Sequence, residues 1–97
     1  MELTELVRLR LRIKSKDFDE GEIKPLIMAA QADLERVGVS IGEDDPLFRQ
    51  AIVLYCKAHF GYSEDSEKFK AAYEGIRDSL ALSVSYGSKE GDGNAVP

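Results

Sequence analysis

Tryptophan is missing from this chain of 97 residues, which contains one cysteine, one histidine and three prolines. A single cysteine excludes an internal disulfide and is typical of proteins from a reducing compartment. No stretch approaches the roughly 18 apolar residues that a membrane-spanning helix needs. The N-terminal residues MELTELVRLR also lack the basic region, apolar region and cleavage site of a signal peptide. These absences predict a protein that stays in the cytoplasm where it is made and has no membrane partner.

The stretch YCKAHFGYSED raises the question of a metal or catalytic site, because Cys56 precedes His59 by three residues. On a helix that spacing places both side chains on one face. A structural zinc needs four ligands and a catalytic zinc usually three, yet the chain has no other cysteine or histidine. A nucleophile pair would also need oxyanion donors, which nothing around residues 55–62 indicates. We therefore interpret Cys56 as a small buried residue and His59 as a residue at the helix margin near Tyr62.

Other catalytic and ligand-binding motifs are also missing. The glycines are scattered and form no phosphate-binding loop. The acidic runs IGEDDP and YSEDSE lack the alternating oxygen ligands and the glycine of a calcium-binding loop. Glu43, Asp44 and Asp45 precede an expected helix start, where the helix dipole favours negative charge, so we assign them a structural role instead of acid–base catalysis. The sequence predicts that the protein is not an enzyme and has no catalytic residue, no metal and no cofactor.

The charged residues are unevenly distributed along the chain. The net charge of −5 argues against general affinity for nucleic acid, which depends on clustered Lys and Arg. A basic block nevertheless contains Arg8, Arg10, Arg12, Lys14 and Lys16. Acidic blocks contain Asp17, Asp19, Glu20 and Glu22, then Glu43, Asp44 and Asp45, then Glu64, Asp65 and Glu67. The basic block can be a solvated face, can contact phosphate, or can meet an acidic block on another copy.

Apolar periodicity predicts one small all-α domain, a bundle of about four helices followed by a flexible C-terminal tail. The first segment is ambiguous, because a helical stripe competes with a strand-like alternation of apolar and basic residues over 7–14. A lone strand would be an exposed edge without a partner, so we predict a helix over residues 3–12 that Thr4 could cap. The helical stripe of this segment contains Leu3, Leu6, Val7 and Leu11.

Three further helices follow from the same pattern. The second spans residues 19–37, with Pro25 in its first turn and Gly38 as its stop signal. Asp45 and a first-turn proline open the third helix, which is the most apolar segment, ends near residue 61 and should be the central element. Their apolar stripes are Ile23, Leu26, Ile27, Ala30, Leu34 and Val37, and then Leu47, Ala51, Ile52, Leu54, Tyr55, Ala58 and Tyr62.

The fourth helix should begin near Ser66, whose hydroxyl can cap it, and end around Leu82. Gly75 within it indicates either a close helix crossing or a tolerated surface glycine. The residues from Ser83 onward are rich in glycine, serine and charge, which predicts an extended or disordered tail. We therefore divide the chain into a helical domain at 1–83 and a flexible tail at 84–97. The apolar stripe of the fourth helix contains Phe69, Ala72, Tyr73, Ile76 and Leu80.

Three consecutive stretches carry a family resemblance, namely IKPLIMAAQADLERVGV, DDPLFRQAIVLYCKAHFGY and SEKFKAAYEGIRDSLALS. They closely resemble the head-tail connector (adaptor) proteins of long-tailed bacteriophages and prophages, and the likeness covers about residues 20–83. The resemblance implies an all-helical structural protein of the virion head-tail junction, assembled in the cytoplasm of the host bacterium. It implies that the segment around Cys56 and His59 is a core helix.

The resemblance also implies a set of partners. The subunit would join a homo-oligomeric ring of about a dozen copies, in which one patch of each copy meets a different patch of its neighbour. The ring would lie between the portal protein and a tail-side stopper or tail-completion protein. DNA would pass through its lumen during packaging or ejection without sequence-specific binding. In similar adaptors a terminal extension docks on the portal, so the tail at 84–97 is a candidate for ordering on binding.

Charge segregation suggests which residues form the contact between subunits. We expect Arg8, Arg10 and Arg12 to pair with acidic residues of the adjacent copy. The acidic candidates are Asp19, Glu20, Glu22, Asp44 and Asp45. An alternative function is a small helical DNA-binding or regulatory module that uses residues 8–16 on phosphate.

Overall fold

The computed structural model describes residues 1–39, 45–61 and 64–92, with the backbone alone described for residues 83–92. Within these ranges the chain forms four α-helices and no strand. The prediction of an all-α protein of four helices is therefore confirmed, and the alternation over 7–14 does not produce a strand. The helices are α1 (Leu3–Arg10), α2 (Lys24–Arg36), α3 (Pro46–His59) and α4 (Ser66–Asp92).

Helix α1 begins after Glu2, whose carboxylate accepts hydrogen bonds from the backbone N–H groups of Thr4 and Glu5 at 3.1 and 3.3 Å. The prediction that Thr4 caps this helix is wrong, because Thr4 lies inside it and is buried. An acidic cap fits this position, since the helix N-terminus favours negative charge. These hydrogen bonds, above all the one from the backbone of Thr4, lower the pKa of the Glu2 carboxyl group.

The segment between α1 and α2 contains two non-α turns. A 3₁₀ turn covers Lys16–Phe18, and a π-helical turn covers Asp19–Ile23. The predicted second helix therefore starts with a wider turn, in which the N–H of Lys24 bonds to the carbonyl of Asp19. Pro25 lies in the first turn of α2 as predicted. Its ring would clash with a carbonyl four residues earlier, which gives a physical reason for the wider turn before it.

The end of α2 follows the predicted stop signal. Gly38 has a φ of +91°, and the N–H groups of Gly38 and Val39 bond to the carbonyls of Glu35 and Leu34, both at 2.9 Å. This pair of bonds is a Schellman motif, which requires a left-handed residue at the glycine position. The apolar stripe of α2 is confirmed, since Ile23, Ile27, Ala30 and Leu34 are buried and Leu26 and Val37 pack against them.

Helix α3 is the central element, as predicted. The carboxylate of Asp45 caps its start by accepting hydrogen bonds from the N–H groups of Leu47 and Phe48 at 2.9 and 3.0 Å. Residues 51–54 are all buried, and four consecutive helical residues cover the whole circumference of a helix. The prediction that Leu47 faces the core is wrong, because this side chain is 53% exposed. The predicted apolar residue Tyr62 lies outside the described residues.

Helix α4 begins at Ser66 as predicted but runs to Asp92, so the expected end near Leu82 is wrong. Glycine and serine cost only about 1 kcal/mol or less each in a helix, and no proline lies between Ser66 and Pro97. The boundary between the domain and the tail at residues 83 and 84 therefore falls within a continuous helix. Of the predicted tail, residues 84–92 have helical backbone and residues 93–97 lie outside the described residues.

Tyr73 and Leu80 are buried in the same core as α3, and Phe69 and Ile76 pack against it. Ala72 is exposed, so its assignment to the apolar stripe is wrong. Gly75 is also exposed, and a methyl group added there would meet no atom within 4 Å. Of the two readings for Gly75, this geometry supports a tolerated surface glycine, because a close helix crossing within the chain would crowd that position.

Candidate functional site

Cys56 and His59 do not form a reactive pair. The side chain of Cys56 is fully buried, and burial raises the pKa of its thiol to about 12. His59 is exposed, and its ring lies against Tyr55 with a centroid distance of 4.3 Å. A thiolate is required for nucleophilic attack or metal binding, and a thiol with this pKa is protonated at neutral pH. The interpretation of α3 as a core helix is therefore supported by the environment of Cys56.

A half-buried polar network joins α2 to α4, and it was not predicted from the sequence. Asp33 on α2 accepts a hydrogen bond from the hydroxyl of Tyr73 at 2.6 Å. Arg77 donates to the same carboxylate oxygen at 3.3 Å, and Arg36 donates to the other oxygen. Arg77 also lies 5.8 Å from the centre of the Tyr73 ring. These contacts connect α2 directly to α4.

The pKa values of Asp33 and Tyr73 in this network are shifted in opposite directions. Burial of Asp33 opposes ionisation, but the hydrogen bonds from Tyr73, Arg36 and Arg77 outweigh it and lower the pKa of this carboxyl group. Burial, followed by the hydrogen bond to Asp33, raises the pKa of the Tyr73 hydroxyl. At neutral pH the network therefore pairs a carboxylate with a neutral phenol and two guanidinium groups.

The basic block begins in the last turn of α1 and continues beyond it. Arg10, Arg12, Lys14 and Lys16 are exposed and form no ion pair within the residues that the structure describes. The chain turns at Arg12, whose φ is +63°. The N–H groups of Arg12 and Ile13 bond to the carbonyls of Leu9 and Arg8, both at 3.0 Å. Helix α1 therefore ends in the same Schellman motif as α2.

The two motifs differ in the residue that adopts the left-handed conformation. Helix α2 uses Gly38, which has no β-carbon to clash, whereas α1 uses Arg12. A non-glycine residue in this conformation costs about 1–2 kcal/mol. Because the same chain uses glycine where only the turn is needed, the arginine at position 12 carries a cost that the turn itself does not explain. Such strain occurs preferentially at functional sites.

One predicted basic residue already has a partner in its own chain. Arg8 donates to Asp19 at 2.7 Å, and the two side chains are 14% and 15% exposed. This ion pair fixes the basic end of α1 against the π-helical turn. The other carboxylate oxygen of Asp19 is buried and has no hydrogen-bond partner within the described residues. The basic block and the acidic block that follows it therefore lie side by side on the surface of one subunit.

The other predicted acidic residues have different environments. Glu20 pairs with Lys24 at 2.5 Å in an exposed position, and Glu22 is exposed. Asp45 is occupied with the cap of α3, while Asp44 lies outside the described residues. Asp19 and Asp45 thus have roles within the chain, and Glu20 and Glu22 are the predicted acidic residues that remain on the surface.

An apolar groove lies beside the basic block. It has a volume of about 330 Å³ and is formed by α1 and the turn that follows it. Leu9 in this groove is 59% exposed and Met1 is 68% exposed. The lining residues are Met1, Glu5, Arg8, Leu9, Ile13 and Lys14. The groove therefore combines three apolar side chains with two cations and the carboxylate of Glu5, and it can accept an apolar side chain whose acidic neighbour lies toward the cations.

Two surfaces of the molecule lie on helices that both contact α3. Both α1 and α4 pack on α3, and the substantial helix contacts of the described residues include none between α1 and α4. The outer face of α4 exposes Asp78 and Leu82, which are four residues apart and share one side of the helix. Leu82 is 72% exposed. The groove and this face of α4 therefore lie on different helices, which both pack on α3 and have no substantial contact with each other among the described residues.

Two further kinds of site are missing from the described part of the chain. It contains no group of three or more His, Cys, Asp or Glu side chains that could hold a metal ion. None of its helices combines the length and apolar character needed to cross a membrane.

The fold and this surface define a small all-α protein whose exposed features are charged and apolar contact surfaces. Residues 4–87 match the family model described as phage connector protein. The chain therefore belongs to the phage connector protein family and has a connector-type structural role. The match extends the resemblance seen over residues 20–83 to α1 and its basic end. No curated protein and no solved structure matches the chain.

Proposed function

We propose that this protein is the subunit of a homo-oligomeric adaptor ring at the head-tail junction of a phage or prophage virion. The observation that carries the proposal is the family match, which covers most of the chain and places it among phage connectors. The ring lies between the portal protein and the next tail-side component. DNA passes through its lumen during packaging or ejection, and the protein itself performs no catalysis.

The surface of the subunit supports assembly with identical neighbours. The segment from Arg8 to Lys16 carries five cations and no acidic residue, so the net charge of −5 leaves −10 on the rest of the chain. Every copy therefore presents a basic patch to neighbours that are strongly acidic elsewhere. A ring closes only through heterologous contacts, in which the two patches differ. The net negative charge also suits a conduit along which DNA slides, since a strongly basic lumen would hold phosphates.

The basic patch should determine assembly through Arg10 and Arg12. Reversing both charges should prevent formation of the large species, and raising the salt concentration should weaken wild-type assembly, because exposed charges are screened. Sedimentation velocity at several protein and salt concentrations measures both effects. Rings that persist unchanged after the double reversal would refute a role for these residues, although the structural role of the family would stand.

A second candidate function is supported by the same four exposed cations of residues 10–16. A DNA-binding or regulatory module would use them on phosphate groups, with affinity falling steeply as salt is raised. The two functions predict different oligomeric states of the protein. Ring-sized particles in the absence of DNA support the adaptor, whereas a monomer or dimer that shifts duplex DNA in a salt-dependent manner supports the module.

A further inference from the structure

Arg12 combines three properties that together leave its side chain available to a partner. It is exposed, it has no ion pair within the described residues, and it adopts the left-handed conformation that α2 assigns to Gly38. Strain of this kind persists where the side chain is needed. Arg12 is adjacent to Ile13, which lines the apolar groove. The side chain is therefore available to a partner that also occupies the groove.

The acidic block nearest to Arg12 is a poor partner for a ring contact. The ion pair between Arg8 and Asp19 places Glu20 and Glu22 on the same flank as the basic block. Two adjacent patches of opposite charge favour a two-fold dimer, because each copy then satisfies both patches of the other. A closed ring instead needs a partner surface on another part of the subunit, and α4, which has no substantial contact with α1 among the described residues, exposes the carboxylate of Asp78 beside Arg77.

The outer face of α4 has the chemistry that the groove requires. Leu82 is 72% exposed and large enough to fill part of the groove, and Asp78 lies one helical turn before it. The Asp78 carboxylate accepts from Arg77 of its own chain at 3.2 Å but is 71% exposed, so it can also reach a cation of a second copy. Exposed small residues at positions 71, 72, 75 and 79 surround them, so another backbone can approach closely. A methyl group added at Gly75 meets no atom of its own chain within 4 Å, so this face is uncovered in a single subunit.

We infer that the groove of α1 is the docking site for α4 of a second copy, with Leu82 entering the apolar groove and Asp78 pairing with Arg12. This inference rests on the proposed ring and names the contact that builds it. Each subunit then uses its α1 flank toward one neighbour and its α4 flank toward the other, as a closing heterologous interface requires. The apolar lining of the groove favours a protein occupant, since phosphate contacts need only the cations.

A double-mutant cycle on Arg12 and Asp78 tests the pairing. Arg12→Asp keeps a residue that tolerates the left-handed conformation, and Asp78→Arg reverses the charge on α4. Each single variant should raise the concentration for half-assembly by at least about tenfold, because like charges then face each other. The double variant should restore assembly to within about threefold of wild type. Lys68→Asp, an exposed site on α4 with the same change in net charge, is the matched control and should assemble normally.

The outcomes separate this inference from the proposed function. Mass photometry of each variant gives the assembly state, and circular dichroism shows that each is folded. If wild type never assembles, the ring and the docking contact both fail. If wild type forms rings and Arg12→Asp does so equally well, or if the double variant is not rescued, the docking contact alone is wrong. Loss of duplex-DNA binding by Arg12→Asp with unchanged assembly would make the groove a phosphate site and would also overturn the contact.

Discussion

Replacing Gly75 and replacing Gly38 by alanine should change the stability of the monomer in opposite directions. Gly75 lies in an exposed helix interior where an added methyl group has free space, so Gly75→Ala should stabilise the monomer by about 0.5–1 kcal/mol. Gly38 has a φ of +91°, so Gly38→Ala should destabilise it by about 1 kcal/mol. Urea unfolding of dilute protein measures both changes. A destabilising Gly75→Ala would show that this position is crowded in solution.

The carboxyl group of Asp33 should make stability depend on pH. Its pKa is lowered in the folded state, so its contribution is fully present above the unfolded pKa of about 4 and is lost as the pH falls through the folded value. Asp33→Asn should therefore cost about 1–3 kcal/mol at pH 7, because it removes the charge that two arginines and Tyr73 satisfy. The cost should shrink as the pH is lowered below about 4.

The control for Asp33→Asn is Glu35→Gln, which removes an exposed carboxylate from the same helix. Thermal unfolding of both variants between pH 3 and pH 7 compares them. The control should change stability by less than about 0.5 kcal/mol at every pH. An equal and pH-independent effect of the two substitutions would show that the ionised carboxylate of Asp33 contributes nothing to stability.

At the residue scale, the sequence was informative where a role depends on neighbours along the chain. The stop at Gly38 and the cap at Asp45 follow from local hydrogen bonds, so both could be predicted. The network of Asp33 could not, because Tyr73 is 40 residues away and only the packing of α2 and α4 brings the groups together. The strain at Arg12 was missed for another reason, since arginine gives no signal of a left-handed conformation.

At the scale of elements, α3 organises the fold, and its cap should be important for stability. Asp45→Ala removes the acceptor for the N–H groups of Leu47 and Phe48 and should cost about 1 kcal/mol. Asp45→Asn retains a capping oxygen and should lose much less. Chemical unfolding of the two variants provides the comparison. Equal losses for alanine and asparagine would show that the charge near the helix start, and not the cap, is the stabilising feature.

Helix existence was predictable because the apolar periodicity of each segment reflects burial against its neighbours. The positions of two helix boundaries could not be predicted. The π-helical turn before Pro25 is a local adjustment of hydrogen-bond register, which leaves the apolar stripe of Ile23 and Ile27 unchanged. The extension of α4 to Asp92 has no periodic apolar face, so the composition of that segment indicated a tail while its backbone is helical.

At the scale of the whole molecule, the family match and the segregation of charge point to a subunit that is completed by its neighbours. The described helices form one core, and the apolar groove beside α1 and the exposed face of α4 lie on the surface around it. A small domain of 10.8 kDa has a limited core of its own, so contact with further copies in the proposed ring would bury surface that the monomer leaves in water.

The most direct test is a measurement of particle mass and shape for the concentrated protein, alone and mixed with its portal protein, by mass photometry and negative-stain microscopy. The proposed function predicts closed rings of about a dozen copies, either free or bound to the portal. A particle that remains at the 10.8 kDa of one chain at every concentration and does not bind the portal would contradict it.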